Sequence, residues 1–327
     1  MSGRILVTGG AGYIGSHTAW SLLDQGESVV VIDNLSEGSR ELVPAGAEFV
    51  EGDVRDEALV TSIMQKYAVD TVMHFAAFVR VDESVREPEK YEENNVKGTR
   101  ALLRAAHAHG VKFLVYSGSA SVYGDAEENP ITEEAPLKPM SPYAETKMRA
   151  EADVLSSGIR TISLRYFNPA GTDPSGRTGY RTDVVPTHLV RNAVRAALRI
   201  VPDFQLFGTD YPTPDGTCIR DFIHISDLAE AHLSVLQYLR KGGASRIFNC
   251  GSGRGFSVTE VVRTVKKVSG SDFSIVEKGR RPGDPPALVA DISRIKRELN
   301  WRPKRNLEDM VRDELVWTRS RVHSKSI

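Results

Sequence analysis

The amino-acid sequence predicts an α/β fold, with a doubly wound parallel sheet in its first half and a smaller α/β lobe after it. Short apolar runs rich in β-branched residues alternate with segments whose apolar residues recur at helical spacing. This alternation is typical of parallel sheets covered by helices on both faces. The predicted strands cover residues 5–7, 29–32, 49–50, 71–73 and 113–116, and the predicted helices cover residues 19–23, 59–66 and 99–109.

The order of elements changes after Arg165. A stretch rich in glycine, proline and aspartate, residues 168–183, interrupts the alternation. Shorter elements follow it, with helices predicted near residues 184–200, 227–240, 257–268 and 291–299 and a strand near residues 246–249. We therefore expect residues 1–168 to form the first domain and residues 169–327 the smaller lobe, with room for the chain to cross between them more than once.

The composition argues against several classes of protein. A chain of 327 residues with 40% hydrophobic residues can bury a full core, and its formal net charge of -1 provides no basic field for nucleic acid. The two cysteines, Cys218 and Cys250, lack metal-ligand spacing and are too few for a disulfide framework. No apolar stretch approaches the ~20 residues of a spanning helix, and the first residues do not resemble a signal peptide. We expect a cytoplasmic protein without bound metal, membrane or nucleic acid.

Three glycines follow the first predicted strand and predict a dinucleotide site. Gly9, Gly12 and Gly15 allow a tight strand-to-helix turn, a close approach of the backbone to a pyrophosphate, and close packing of the helix on the sheet. The anion then meets the positive end of the helix. Asp33 ends the second strand, where a carboxylate binds the ribose hydroxyls of NAD and repels the 2′-phosphate of NADP. By the same reasoning, Asp53 after the third strand borders the adenine pocket. These features predict a Rossmann-type domain that binds NAD.

A tyrosine, a lysine and a serine form the candidate catalytic group. Tyr143 and Lys147 are four residues apart at the start of a probable helix, so both lie on one helix face. A phenol with a pKa near ~10 is a poor base unless positive charge favours its anion, and Lys147 and a nicotinamide cation would supply that charge. Ser119 ends the fifth strand, at the sheet edge where ligands bind. It is placed to hydrogen-bond a hydroxyl that exchanges a proton with Tyr143.

These motifs together resemble the extended short-chain dehydrogenase/reductase family. The glycine turn of residues 9–15, Ser119, and Tyr143 with Lys147 carry the general likeness. Residues 165–169 (RYFNP), 210–217 (DYPTPDGT) and 220–224 (RDFIH) resemble the UDP-glucose 4-epimerases within that family. The resemblance extends from about Arg4 to Trp317.

The resemblance implies roles for further residues. It implies that the first domain binds NAD and that the smaller lobe binds a UDP-sugar, with Arg220 and Arg281 on the substrate diphosphate, since guanidinium groups bind phosphate bidentately. Asp284 would bind the uridine ribose, and Phe207 would line the uracil pocket. The implied cofactor-binding residues are Gly9, Gly12, Tyr13, Ile14, Gly15, Asp33, Asn34, Asp53, Val54, Phe75, Ala76, Ala77, Asn94, Ser117, Tyr143, Lys147 and Phe167. The implied substrate-binding residues are Ser119, Tyr143, Asn168, His188, Leu189, Gln205, Phe207, Arg220, Arg281, Asp284 and Leu288.

The function implied by this resemblance is the interconversion of UDP-galactose and UDP-glucose. The reaction passes through a 4-keto sugar by transient hydride transfer to tightly bound NAD, and a homodimer is implied as well. Leu288 stands where the family uses side chains of different size to narrow or widen the sugar pocket, which leaves N-acetyl sugars open as substrates. Other nucleotide-sugar epimerases, a UDP-glucuronate 4-epimerase among them, and an NAD-sensing binding protein are the alternatives. A dehydratase is disfavoured because Ala120 and Ser121 occupy the positions of its acidic pair.

Overall fold

A seven-stranded parallel sheet is the centre of the molecule. The computed structural model describes residues 3–181, 183–184, 186–281 and 283–323. The sheet has the order β10-β6-β5-β4-β1-β2-β3 and its strands pair in parallel, which confirms the predicted doubly wound parallel sheet. Its strands are β1 (Arg4–Thr8), β2 (Val29–Asp33), β3 (Glu48–Glu51), β4 (Val69–His74), β5 (Phe113–Ser119), β6 (Arg160–Tyr166) and β10 (Arg246–Cys250).

Helices cover both faces of this sheet because its strand residues are apolar on both sides. Ile5 and Val7 face one buried core, whereas Leu6 between them faces the other. The first core is closed by α1 and α8, and the second by α2, α5 and α6. The bounds of these helices are α1 (Tyr13–Asp24), α2 (Glu57–Tyr67), α5 (Gly98–His109), α6 (Pro142–Leu155) and α8 (Ile225–Arg240).

A short helical segment connects β4 to α5. It contains α3 (Val81–Arg86), α4 (Pro88–Tyr91) and a π-helical turn over Glu92–Lys97 that leads directly into α5. Gly110 ends α5 with a left-handed φ of 74°, as the sequence predicts for a helix stop. The segment packs against α6 and so borders the helix that carries Tyr143.

The second half of the chain contributes to both lobes. The helix α8 packs against α1, and β10 pairs in parallel with β6 at the edge of the large sheet. Helix α10 (Ser293–Leu299) packs against β10. The chain therefore returns to the large sheet after entering the smaller lobe, and a boundary at residue 168 separates the lobes only in part.

The smaller lobe contains short strands and three helices around its own apolar core. Val190, Phe222, Val261 and Met310 are among the buried residues of this core. Parallel pairing joins β9 to β7 and to β13, antiparallel pairing joins β9 to β11, and β8 pairs with β12. The elements are β7 (Asn168–Ala170), β8 (Asp203–Phe207), β9 (Ile219–His224), β11 (Gly255–Ser257), β12 (Ser274–Lys278), β13 (Ala287–Leu288), α7 (Leu189–Ala197), α9 (Val258–Ser269) and α11 (Leu307–His323).

One predicted helix is shorter than expected. The helix predicted over residues 184–200 begins at Leu189, because His188 keeps extended backbone angles, and it ends at Ala197 before Arg199 adopts a left-handed φ of 57°. Val185 lies outside the described residues. None of the helices in the described part of the chain combines the length and apolarity needed to cross a bilayer.

Candidate active site

The glycine turn after β1 has the close backbone packing that a dinucleotide site requires. Gly9 has a φ of +69°, and a Cβ at this position would lie 2.6 Å from the backbone nitrogen of Ala76. A Cβ on Gly15 would overlap the carbonyl oxygen of Gly9, so the first turn of α1 can approach the loop only without a side chain there. Gly12 precedes α1 in an extended conformation. The backbone N–H groups at this helix start form an anion site.

Asp33 is bound to the same loop. Its Oδ2 accepts a hydrogen bond from the backbone N–H of Ala11 at 2.9 Å, and its Oδ1 accepts one from Leu35 N–H at 2.8 Å. Burial raises the pKa of this carboxyl group, and the two N–H donors oppose that shift. The carboxylate therefore fixes the loop and lies at the end of β2, where the sequence predicted a partner for the cofactor ribose.

A cleft runs along the carboxyl ends of β1, β2 and β4. Many of the predicted cofactor residues line it: Gly9, Gly12, Asp33, Asn34, Val54, Phe75, Ala76, Ala77 and Asn94. Ser36, Glu37, Gly38, Gly52 and Phe78 line it as well and were not predicted, because they lie in loops without a motif. Three features of this cleft suit an elongated dinucleotide. They are the glycine turn, the Asp33 carboxylate at the end of β2, and the apolar lining that includes Phe75 and Ala76.

Asp53 has protein partners of its own. Its carboxylate accepts hydrogen bonds from Arg55 Nη2 at 2.7 Å and from Asn34 Nδ2 at 3.0 Å. These bonds, the one from Arg55 first, lower the pKa of Asp53 to about 2. Asp53 therefore acts on the cleft through Asn34, which it holds at the cleft wall.

Tyr143 and Ser119 meet where β5 ends. The Tyr143 hydroxyl donates to Ser119 Oγ at 3.4 Å, and Ser119 Oγ lies 2.8 Å from Ser121 Oγ. Tyr143 is placed by the start of α6, where Ser141 Oγ caps the helix by accepting a hydrogen bond from Ala144 N–H at 3.2 Å and Pro142 occupies the first turn. The structure thus brings together two predicted catalytic residues from separate elements.

Two predicted cofactor residues lie close to this pair. Ser117 Oγ accepts a hydrogen bond from the hydroxyl of Tyr166 on β6. Phe167 follows directly and donates its backbone N–H to Cys250 O at 3.3 Å. Ser117 and Phe167 therefore lie at the carboxyl ends of neighbouring strands, beside Ser119.

Lys147 lies one helical turn after Tyr143 and points into the protein. Its Nζ is 4.4 Å from the centroid of the Tyr116 ring, and the side chain is buried. Burial lowers the pKa of Lys147 to about 7, and the charge of Glu151 opposes this shift. For Tyr143, burial raises the pKa, and the hydrogen bond with Ser119 lowers it. In the protein alone, therefore, the phenol is protonated and the lysine is close to its midpoint at neutral pH.

Strand β9 brings four predicted substrate residues together. Arg220 lies opposite Leu288 in the β9–β13 pairing, and its Nη1 donates to Pro285 O at 2.8 Å. Its Nη2 is 3.3 Å from Asp284 Oδ1. Asn168 joins the same group, because its side-chain amide donates to Asp221 O at 2.9 Å. These residues come from distant parts of the sequence and converge beside β9.

A second group of predicted substrate residues lies at β8. The guanidinium of Arg281 is 3.9 Å from the centroid of the Phe207 ring. Gln205 is exposed two residues earlier, on the same strand face as Phe207. The aromatic ring with an arginine over it and the amide on the same strand face form a cradle at β8.

His188 and Leu189 lie at the start of α7, close to the glycine turn. The His188 ring is 4.9 Å from the ring of Tyr180, which in turn stacks on Tyr13 at 3.5 Å. The Tyr13 hydroxyl donates to Gly171 O at 2.6 Å. Tyr180 was not predicted, since it lies in an irregular loop without periodicity. Through this stack the loop that leads to the smaller lobe contacts the cofactor-binding helix.

The described residues contain no group of three or more His, Cys, Asp or Glu side chains that could hold a metal ion.

Known proteins are similar to this chain over nearly its whole length. The model of the NAD dependent epimerase/dehydratase family matches residues 5–251. A UDP-glucose 4-epimerase of Azospirillum brasilense is 49% identical over 324 residues, which cover 98% of this chain and 93% of that protein. The UDP-glucose-4-epimerase structure from Stenotrophomonas maltophila, with bound NAD and formylated UDP-arabinopyranose, is 38% identical with a TM-score of 0.95 and covers 99% of this chain and 100% of its own.

A relative with a broader name is also similar. The UDP-Glc/GlcNAc 4-epimerase structure from Campylobacter jejuni is 37% identical with a TM-score of 0.84, covering 98% of this chain and 100% of that chain. The chain belongs to the NAD dependent epimerase/dehydratase family, because it matches the family model and these relatives and has the glycine turn and the Tyr143–Ser119 pair.

Proposed function

We propose that the protein is a UDP-glucose 4-epimerase that interconverts UDP-galactose and UDP-glucose with bound NAD. The observation that carries the proposal is the hydrogen-bonded Tyr143–Ser119 pair at the carboxyl end of β5, the strand next to β4 in the sheet whose strand ends border the dinucleotide cleft. The similar proteins of Azospirillum brasilense and Stenotrophomonas maltophila support it by their names and by their coverage of almost the whole chain.

The cofactor would be held by the loop and cleft after β1, β2 and β4. The N–H groups at the start of α1 would bind the pyrophosphate, and the Asp33 carboxylate would accept hydrogen bonds from the ribose hydroxyls of adenosine. Glu37 lines the same part of the cleft, where its Oε2 lies 3.8 Å from Arg80 Nη2. When bound, NAD supplies the acceptor and later the donor of the hydride at carbon 4 of the sugar.

Tyr143 is the proposed base and acid of the reaction. Its hydroxyl lies within hydrogen-bonding distance of Ser119 Oγ, so both contact one sugar hydroxyl, from which Tyr143 removes the proton. Burial raises the pKa of Tyr143 in the protein alone, opposite to the direction that a phenolate base requires. The positive charges of Lys147 and of the nicotinamide ring must therefore act together in the loaded protein. The proton returns from the Tyr143 hydroxyl to the sugar oxygen after the sugar has turned.

The substrate is proposed to be held mainly by its nucleotide. Phe207 and Arg281 form the cradle for the base, while Arg220 and Asp284 provide charge for the diphosphate and ribose. Arg220 is already bound to Pro285 O, which restricts its guanidinium before the substrate arrives. Because the nucleotide is bound tightly and the sugar makes few contacts, the sugar can turn either face of its carbon 4 towards the cofactor.

The width of the sugar pocket is proposed to depend on Leu288. This side chain is partly buried, lies opposite Arg220 across two paired strands, and packs against the core of the large sheet. Its intermediate size and the broader specificity named for the Campylobacter jejuni relative support a second activity on UDP-N-acetyl sugars.

Turnover without added cofactor is the direct test. Purified protein is incubated separately with UDP-galactose, UDP-N-acetylgalactosamine and UDP-glucuronate, no nicotinamide is added, and products are followed by proton NMR. We expect inversion at carbon 4 of UDP-galactose with NAD recovered from the denatured protein. Tyr143→Phe should retain the bound nucleotide and lose nearly all turnover. A protein that converts none of the three sugars even after NAD is supplied would refute the proposal.

We further propose a cytoplasmic homodimer. The two cysteines of the described chain are buried and unpaired, which suits a reducing compartment. Val79, Val81 and Val85 are exposed by 54%, 48% and 64% around α3 and supply apolar surface on the first domain for a second copy. Sedimentation equilibrium measures the oligomeric state directly, and a single species of 36 kDa at micromolar concentration would exclude the dimer.

A further inference from the structure

The ring of Tyr116 lies under the ammonium group of Lys147. Lys147 Nζ is 4.4 Å from the ring centroid, and the two side chains are only 3% and 2% exposed. The Tyr116 hydroxyl also donates a long hydrogen bond of 3.5 Å to the backbone oxygen of Lys147. Tyr116 is three residues before Ser119 on β5, so its position is set by the same strand that places the serine.

This ring is the ammonium's direct neighbour. Within the described ranges Lys147 Nζ makes no hydrogen bond and no ion pair. A buried ammonium with no carboxylate bound to it loses the solvation that favours its charged form. The charge of Glu151, which makes no bond to it, and the negative potential of the ring face each restore part of that loss. Burial raises the pKa of the Tyr116 phenol well above its usual range, so the ring is neutral over the working pH.

The other titratable groups around α6 are either neutral or already paired. His74 on β4 is held between the hydroxyls of Thr8 and Thr99, and burial first and the charge of Lys147 second lower its pKa to about 3. Glu151 on the same helix as Lys147 is bound by Arg165 of β6. Further groups on α6 and on the elements packed against it include Tyr143 on the helix itself, Tyr91 on α4, Tyr123 after β5, Tyr166 on β6, Glu83 with Lys90, Glu92 with Arg149, Asp153 with Arg100, Asp82 with Arg86, Glu93 with Lys97, and Arg104 with Glu57.

We propose that Tyr116 is a positioning residue for this reaction, whose ring face keeps the Lys147 ammonium charged and in place beside Tyr143. The ring acts through Lys147 and does not contact the substrate. Its contribution is needed because burial already lowers the pKa of Lys147 to about 7. Without the ring, the lysine is neutral over more of the working pH range, and the phenol loses the charge that favours its anion.

A fluorination series at position 116 tests this proposal with little change of shape. Phenylalanine and its mono-, tri- and pentafluoro analogues are placed at residue 116, which weakens and finally reverses the potential of the ring face. The NAD-loaded protein is labelled with ¹³Cε-lysine, Lys147→Met identifies the resonance, and the pKa of Lys147 is read from its titration. Tyr116→Phe is the matched control, since it removes only the long hydrogen bond.

The expected result is a stepwise fall of the Lys147 pKa, by about one unit at five fluorines, with Tyr116→Phe titrating like the unaltered protein. Tyr116→Leu should shift in the same direction. The link to turnover rests on the proposed function: the alkaline limb of kcat for UDP-galactose should move to lower pH by the same interval. A series that titrates alike throughout, or a Tyr116→Phe shift as large as that of the pentafluoro analogue, would overturn the proposal. The titration is independent of turnover, so an inactive protein refutes the proposed function without affecting this readout.

Discussion

The buried pair of Glu151 and Arg165 supports the helix that carries the candidate catalytic residues. Glu151 is four residues after Lys147, which is four after Tyr143, so the three occupy one face of α6. Arg165 donates from Nη2 to Glu151 Oε1 at 2.5 Å and from Nε to Oε2 at 3.0 Å, and Ser163 Oγ donates to Oε2 at 2.6 Å. The side chains of the pair are 4% and 3% exposed.

We predict that Glu151→Gln lowers the free energy of unfolding by about 3–5 kcal/mol, because it leaves the buried Arg165 cation without its counter-charge. The glutamine keeps the shape of the side chain, so the loss is electrostatic. The same change removes the charge that raises the pKa of Lys147. The pKa of Lys147 therefore falls below about 7, less ammonium remains at neutral pH, and the alkaline limb of kcat moves to lower pH.

Urea unfolding followed by tryptophan fluorescence measures the loss, and the double variant Glu151→Gln, Arg165→Met should regain part of it, since no unpaired charge remains. Glu57→Gln is the matched control: its partner Arg104 is 60% exposed and Glu57 itself 44% exposed, so it should cost at most about 1 kcal/mol. A cost for Glu151→Gln no larger than for Glu57→Gln, or a double variant with fully additive losses, would show that this reasoning is wrong.

Three further predictions concern the cofactor loop, the sugar pocket and the interior of the smaller lobe. Gly15→Ala should prevent NAD retention, measured on the purified protein, because its Cβ overlaps the backbone oxygen of Gly9. Gly46→Ala is the control and should keep the cofactor, since its Cβ meets only the Leu23 side chain at 3.4 Å. Leu288→Tyr should reduce turnover of N-acetyl sugars more than that of UDP-galactose, and equal losses would argue against a role in pocket width. Burial raises the pKa of Glu314 to about 7, with Arg191 opposing. A raised folded-state pKa gives stability that is present at low pH and lost as the pH rises from about 4.5 to about 7. The free energy of unfolding of Glu314→Gln, relative to that of the unaltered protein, should therefore be higher at pH 8 than at pH 5. An equal difference at the two pH values would contradict this.

Much of the large sheet could be predicted from local patterns. The strands β1, β2, β4 and β5 are largely buried apolar runs, and this property is visible in a few consecutive residues, whereas β3 is an edge strand with exposed Glu48 and Glu51. Strand β6 was not predicted, because Thr161 and Ser163 alternate with Ile162 and Leu164 and leave no apolar run, although all four residues are buried. Strand β10 was predicted as a strand of the smaller lobe, yet it pairs with β6. Its sequence contains no information about which strand edge is free.

The candidate site also contains residues that local sequence patterns predicted and residues that they did not. The glycine turn, Asp33, and Tyr143 with Lys147 were predicted because their chemistry depends on spacing over a few residues. The candidate substrate-binding residues of the smaller lobe were predicted only from the resemblance, position by position. The structure places Arg220 near Asp284 and Arg281 over the ring of Phe207. Their roles toward a nucleotide stay predictions.

The amino-acid sequence alone determined the elements and the reactive groups, since helix faces, strand faces and tight turns follow from the order of neighbouring residues. Only the tertiary structure decided which groups face one another: Tyr116 under Lys147, Tyr180 against Tyr13, and Arg165 on Glu151. The physical reason is that desolvation and Coulomb interactions depend on distance in space, and packing brings together side chains that are remote along the chain. The charge state of Lys147 is therefore a property of the fold.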